Sequence, residues 1–208
     1  MLILPMRGGR YTPTAGYSPP TGTILSSFAA PANSSFGMTY RPAGLISADR
    51  GNNTIYLHTG VTATIGSSFT APNNGVTGLA FDGTNLTSCD SVTDLIYIHS
   101  GVTATISSSF ASPSTSPTGL TWDGTNLISC DSASDLIYIH DGITSTILSS
   151  FAAPSTNISG LSWDGTNLIS CDRSALFIYV HSGISATISS SFASPSLNPT
   201  GLAHDGTN

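Results

Sequence analysis

Apolar and polar residues alternate along this chain in short runs of about five or six residues, separated by small polar turns. One stretch shows the pattern best. Gly119-Leu120-Thr121-Trp122 alternates and ends in Asp123-Gly124, a tight hairpin signal. Leu127-Ile128-Ser129-Cys130 follows, and Asp131-Ser132-Ala133-Ser134-Asp135 turns the chain. Leu136-Ile137-Tyr138-Ile139-His140 is rich in β-branched and aromatic side chains and reads as a third strand. Asp141-Gly142 leads into a fourth, Ile143 to Leu148, and Pro154 ends the pairing. No stretch carries the 3.6-residue apolar period of a helix.

The four-strand pattern recurs every 41 residues. Asp-Gly-Thr-Asn starts at Asp82, Asp123, Asp164 and Asp205, and the phenylalanines Phe28, Phe69, Phe110, Phe151 and Phe192 keep the same step. So do Pro31, Pro72, Pro113, Pro154 and Pro195. A period near 40 with four short strands per unit predicts an all-β fold, a β-propeller of four-stranded antiparallel blades. The strand ending in the periodic Phe appears five times. So does the strand before Asp-Gly-Thr-Asn, with Phe36-Gly37-Met38-Thr39-Tyr40 taken as a degenerate copy. The two middle strands are clear only four times. The expectation is a single five-bladed domain over residues 1–208, closed by the C-terminal strand at Gly201 to Asp205. That strand joins a blade whose other strands come from residues 1 to about 30.

Composition narrows the function. Charged residues make up 8% of the chain, against roughly 25% in ordinary soluble domains. There is no Lys, Glu or Gln, and the formal charge of -6 comes from Asp and Arg alone. No basic patch can be assembled for nucleic acid, so none is expected as a partner. No apolar run approaches the 18 or so residues of a membrane helix, and Met1 to Pro5 is too short for a signal-peptide core. A surface of Ser, Thr, Asn and Gly fits an extracellular or virion surface location.

The residues that invite chemistry also repeat. Cys89, Cys130 and Cys171 are one position in three units. In a five-fold ring, equivalent second-strand residues lie about 12 Å apart, beyond the roughly 7 Å reach of a disulfide, so free thiols are expected. His58, His99, His140 and His181 fall at the end of the third strand, too far apart to share a metal, and read as turn caps. His204 stands where other units have an aromatic residue. Asp49, Asp90, Asp131 and Asp172 end the second strand. They read either as acceptors for their own turns or as an acidic rim that binds a cation or hydroxyl groups. Trp122 and Trp163, with Phe81 and Tyr40 equivalent, read either as wedges between blades or as stacking platforms for a sugar ring.

The run G-L-x-W-D-G-T-N-L-I-S-C-D-S-x-x-D-L-I-Y-I-H-D-G, best seen from Gly119 to Gly142, resembles the NHL and YVTN group of propeller repeats. The resemblance covers four units well. The first departs, with Tyr40-Arg41-Pro42-Ala43-Gly44 in place of the aromatic-Asp-Gly-Thr-Asn run. It implies the propeller fold and no single activity, because the group spans enzymes, sensors and interaction domains. Related propeller lactonases hold calcium with a Glu among the ligands, and this chain has no Glu.

Nearly identical loops in every unit argue against catalysis, which normally decorates one or two blades. The expectation is a non-catalytic, multivalent binding module without a cofactor or metal, taking carbohydrate or another repetitive surface through Asp49, Asp90, Asp131, Asp172, Trp122 and Trp163. The alternative is a structural or adhesive module of a surface protein. A calcium-dependent, lactonase-like hydrolase comes third.

Overall fold

A computed structural model describes residues 22–207. It contains sixteen strands in four sheets. The first sheet is β1 (Ser35–Arg41), β2 (Gly44–Asp49), β3 (Thr54–His58) and β4 (Ile65–Thr70); the second is β5 (Val76–Phe81), β6 (Leu86–Asp90), β7 (Leu95–His99) and β8 (Ile106–Ala111). The third is β9 (Pro117–Trp122), β10 (Leu127–Asp131), β11 (Leu136–His140) and β12 (Ile147–Ala152); the fourth is β13 (Ile158–Trp163), β14 (Leu168–Asp172), β15 (Phe177–His181) and β16 (Ile188–Ala193). Each sheet is an antiparallel meander in chain order. Among the described residues no helix is long and apolar enough to cross a membrane.

Burial follows strand position. Every residue of β6, β10 and β14 is buried, whereas β8, β12 and β16 are exposed along most of their length. The first strand of each sheet lies innermost. A side chain on Gly78 would strike Leu120 N at 2.8 Å, and one on Gly119 would strike Gly160 Cα at 3.0 Å, so these inner strands approach backbone to backbone. The same contact runs from Gly37 to Gly78 and from Gly160 to Gly201. Gly201 lies in turn against Phe36 O and Gly37, so five glycines close the ring. Hydroxyls bind it further: Thr77 Oγ1 donates to Pro117 O (2.6 Å), Thr118 Oγ1 to Ile158 O (2.8 Å), Ser159 Oγ to Pro199 O (2.6 Å) and Thr200 Oγ1 to Ser35 O (2.8 Å).

The expected five blades are therefore corrected to four complete ones. The fifth position on the inner ring is taken by residues 199–205, between β13 and β1, without a four-stranded sheet behind it among the described residues. One period before Thr54–His58 the chain reads Pro13-Thr14-Ala15-Gly16-Tyr17, with proline and glycine in place of the apolar strand formers. Most of the stretch expected to complete that blade, residues 1–21, lies outside the described residues. Within the described part, the Phe28 ring packs tilted against His58 at 6.1 Å, as Phe69 does against His99, Phe110 against His140 and Phe151 against His181 at 5.8, 5.8 and 5.9 Å.

Candidate functional site

The four second-strand aspartates are buried, and each one binds backbone. Asp131 Oδ2 accepts from Ser116 N at 2.7 Å, while its Oδ1 accepts from Ala133 N and Ser134 N at 2.8 and 3.0 Å. Asp90 does the same with Gly75 N, Val92 N and Thr93 N, and Asp172 with Asn157 N, Ser174 N and Ala175 N. Asp49 accepts from Ser34 N and Asn52 N. Each carboxylate thus staples the segment entering its blade to the turn between the second and third strands. With exposures of 1–2%, these groups do not form an open acidic rim, and the ligand role expected for them is set aside in favour of that internal one. No three His, Cys, Asp or Glu residues come together as a metal site among the described residues.

The third-strand histidines are also buried and doubly bonded. Nδ1 of His58, His99, His140 and His181 contacts the carbonyl oxygen of Thr62, Thr103, Thr144 and Ser185 at 2.6–2.7 Å. Nε2 contacts Oγ of Ser47, Ser88, Ser129 and Ser170 at 2.8–2.9 Å. A carbonyl only accepts, so Nδ1 carries the proton and Nε2 accepts from the serine hydroxyl. Burial pushes all four imidazoles below their ordinary pKa, opposed by the bond to the carbonyl. These Ser–His pairs were not anticipated from sequence. The signal lies in register: Ser129 faces Tyr138 across the ladder, and His140 is the next residue on that same face. A serine bonded to an imidazole is the start of a nucleophilic pair, but all four serines are buried beyond a substrate's reach.

The three thiols are free and buried. Burial raises all three; Cys89 and Cys171 reach about 12.

The inner hairpins reach solvent on the opposite side of the blades from the aspartate turns. Asp82, Asp123 and Asp164 each use Oδ1 to accept from the two N–H groups of the following Thr and Asn, at 2.6–2.8 Å. Asn85, Asn126 and Asn167 extend Oδ1 to the N–H of Gly101, Gly142 and Gly183. The Gly-Thr tips are exposed, and the aromatic residue just before each turn is half-buried. Trp122 packs against the cluster of Ala80, Cys89, Ile96, Leu120 and Leu127, drawn from the second and third sheets, and Trp163 against that of Ile128, Cys130, Ile137, Ile158, Leu161 and Leu168, drawn from the third and fourth. Each tryptophan thus wedges two blades together while the residue stays only partly buried.

A ring of four-stranded antiparallel blades around close-packed inner strands defines a β-propeller. Comparison with solved structures agrees. The chain is similar to the glutaminyl cyclase of Myxococcus xanthus, with a TM-score of 0.64 at 13% identity over 82% of this chain and 70% of that one. It is also similar to the WD40 β-propeller domain of Doa1, with a TM-score of 0.59 at 13% identity over 81% of this chain and 56% of that one. At this identity the likeness concerns the fold. No protein-family profile and no curated protein matches the sequence.

Proposed function

We propose that this propeller is a non-catalytic, multivalent binding module for carbohydrate. The carrying observation is a partly buried aromatic residue beside a turn with an exposed Gly-Thr tip, repeated at Phe81 with Asp82 and Thr84, at Trp122 with Asp123 and Thr125, and at Trp163 with Asp164 and Thr166. A ring face with adjacent acceptor and hydroxyl groups suits the apolar face and hydroxyls of a sugar. Each such shallow site binds weakly, with a dissociation constant on the order of 1 mM. Repetition around the ring supplies avidity for a repetitive surface. The burial of the Ser–His pairs favours binding over catalysis.

The test is a titration with neutral mono- and disaccharides, read by tryptophan fluorescence and a glycan array. Saturable quenching that falls stepwise in Trp122→Ala and Trp163→Ala is expected. A blank array together with unchanged fluorescence sinks the reading.

A structural or adhesive role has one specific observation in its favour. The outer strands β8, β12 and β16 are serine-rich, uncharged and exposed, without the Lys or Pro that usually blunts a free edge. Concentration-dependent growth in sedimentation velocity would favour it over the sugar-binding reading.

A further inference from the structure

Where blades copy one another so closely, departures from the copy are informative, and several converge on the seam between the fourth and first sheets. Arg50 and Arg173 occupy the repeat position held by Ser91 and Ser132. Three residues later, Asn53 and Leu176 replace Asp94 and Asp135. Phe36 stands on the inner ring where the other units carry Thr77, Thr118, Ser159 and Thr200. The blades flanking the seam have therefore gained a cation and lost an acid in the same turn, beside an aromatic ring that replaced a hydroxyl.

Folding brings these departures together. The guanidinium carbon of Arg50 lies 5.7 Å from the Phe36 ring centroid and that of Arg173 lies 5.4 Å from it. The two cations are thus no more than about 11 Å apart. Backbone bonds anchor both, Arg50 N to Ser34 O at 2.9 Å and Arg173 N to Asn157 O at 3.1 Å. Among the described residues neither guanidinium makes a hydrogen bond or ion pair. The carboxylates preceding them in sequence, Asp49 and Asp172, already accept from backbone N–H groups. Two guanidinium groups gathered over one aromatic ring keep planar donor forks unspent, and such forks match an oxyanion in bidentate geometry.

We propose that Arg50, Phe36 and Arg173 form a single oxyanion-binding site at this seam, taking the carboxylate of an acidic sugar. The choice of sugar rests on the carbohydrate reading above; the choice of oxyanion rests only on the two arginines and the ring. The site is distinct from the repeated aromatic turns. It lies at the end of the blades that carries the aspartate staples, and it occurs once per chain.

Isothermal titration calorimetry of the whole chain with sodium glucuronate, glucose and sodium sulfate tests this. It is done at about 10 mM ionic strength, where screening is weak. Glucuronate should bind at one site per chain. Affinity should fall about tenfold or more in the double variant Arg50→Ser with Arg173→Ser, the cost of losing a charge-assisted fork. Serine is what the second and third sheets carry there, so the fold should persist, as a thermal melt would show. Arg50→Ser alone, at an exposed position, provides the same readout in a milder form. Arg→Lys at both positions keeps the charge but loses the fork, and should bind with intermediate affinity. Absence of binding by both anions, or equal binding by wild type and double variant, overturns the site. Sulfate matching glucuronate supports the oxyanion site and overturns its sugar specificity. Glucose failing while glucuronate binds overturns the repeated neutral-sugar sites and leaves this one standing.

Discussion

The third sheet and the seam between the fourth and first sheets are built from the same repeat, yet they behave as opposites. In the third sheet every element is present. β9 packs through Gly119 onto the next inner strand, Asp131 staples the turn, and His140 bonds both Ser129 and Thr144. At the seam the described residues supply an inner and an outer contribution: residues 199–205 complete the glycine ring, and Phe28 covers His58. The contrast separates what the ring requires from what a blade requires. The middle strands supply the local core. The seam is also where the charged departures Arg50 and Arg173 gather, in turns of otherwise complete blades.

Acid gives the largest test of this contrast. Because the fold holds four imidazoles neutral, the unfolded chain binds more protons once pH falls below the ordinary histidine value of 6.5. Stability should be full above that value and lost as pH falls towards the depressed folded values, with a slope of at most about 5 kcal/mol per pH unit for the four together. Urea unfolding at a series of pH values measures it. Replacing His140 or His58 should each remove about a quarter of the slope. A profile flat down to the carboxylate range would break the assignment of neutral, doubly bonded rings.

Glycine substitutions come next. A Cβ on Gly119 would lie 2.9 Å from Cys130 Sγ and 3.0 Å from Gly160 Cα, so Gly119→Ala should cost about 1–3 kcal/mol. Gly201→Ala meets Phe36 O even more closely, but residues 199–205 belong to none of the four described sheets, so the smaller loss is expected there. Equal losses in denaturant melts would show that the seam is as rigid as a blade. The smallest effect is expected from Ser132→Arg, which copies the seam's residue into the third sheet. It should change stability by no more than about 0.5 kcal/mol and create no anion affinity, because Thr118 rather than Phe36 is its inner-ring equivalent.

Much of this was legible in the chain. The 41-residue period gave the strands, their meander and the innermost position of the glycine-led strand, since periodicity reports which residues share an environment. Free thiols followed from ring geometry. The count of blades did not follow, because inner and outer strand patterns recur five times while the middle strands recur four. Asp49, Asp90, Asp131 and Asp172 left two readings open, since a carboxylate at a strand end looks the same whether it faces its own turn or a ligand. The Ser–His pairs needed cross-strand register. The meeting of Arg50, Arg173 and Phe36 needed closure of the ring, which joins residues separated by most of the sequence.

The three thiols carry a further consequence. Each sulfur fills the space that a side chain on the neighbouring inner glycine would take: Cys89 against Gly78, Cys130 against Gly119, Cys171 against Gly160. Burial holds the thiols protonated, with Cys89 and Cys171 raised to about 12, and none of the three is reachable from water. Alkylation must then wait for the sheet around each sulfur to come apart. The protein thus has a native clock in each of three consecutive sheets, and their relative labelling rates would rank how often each one breathes, with no probe added.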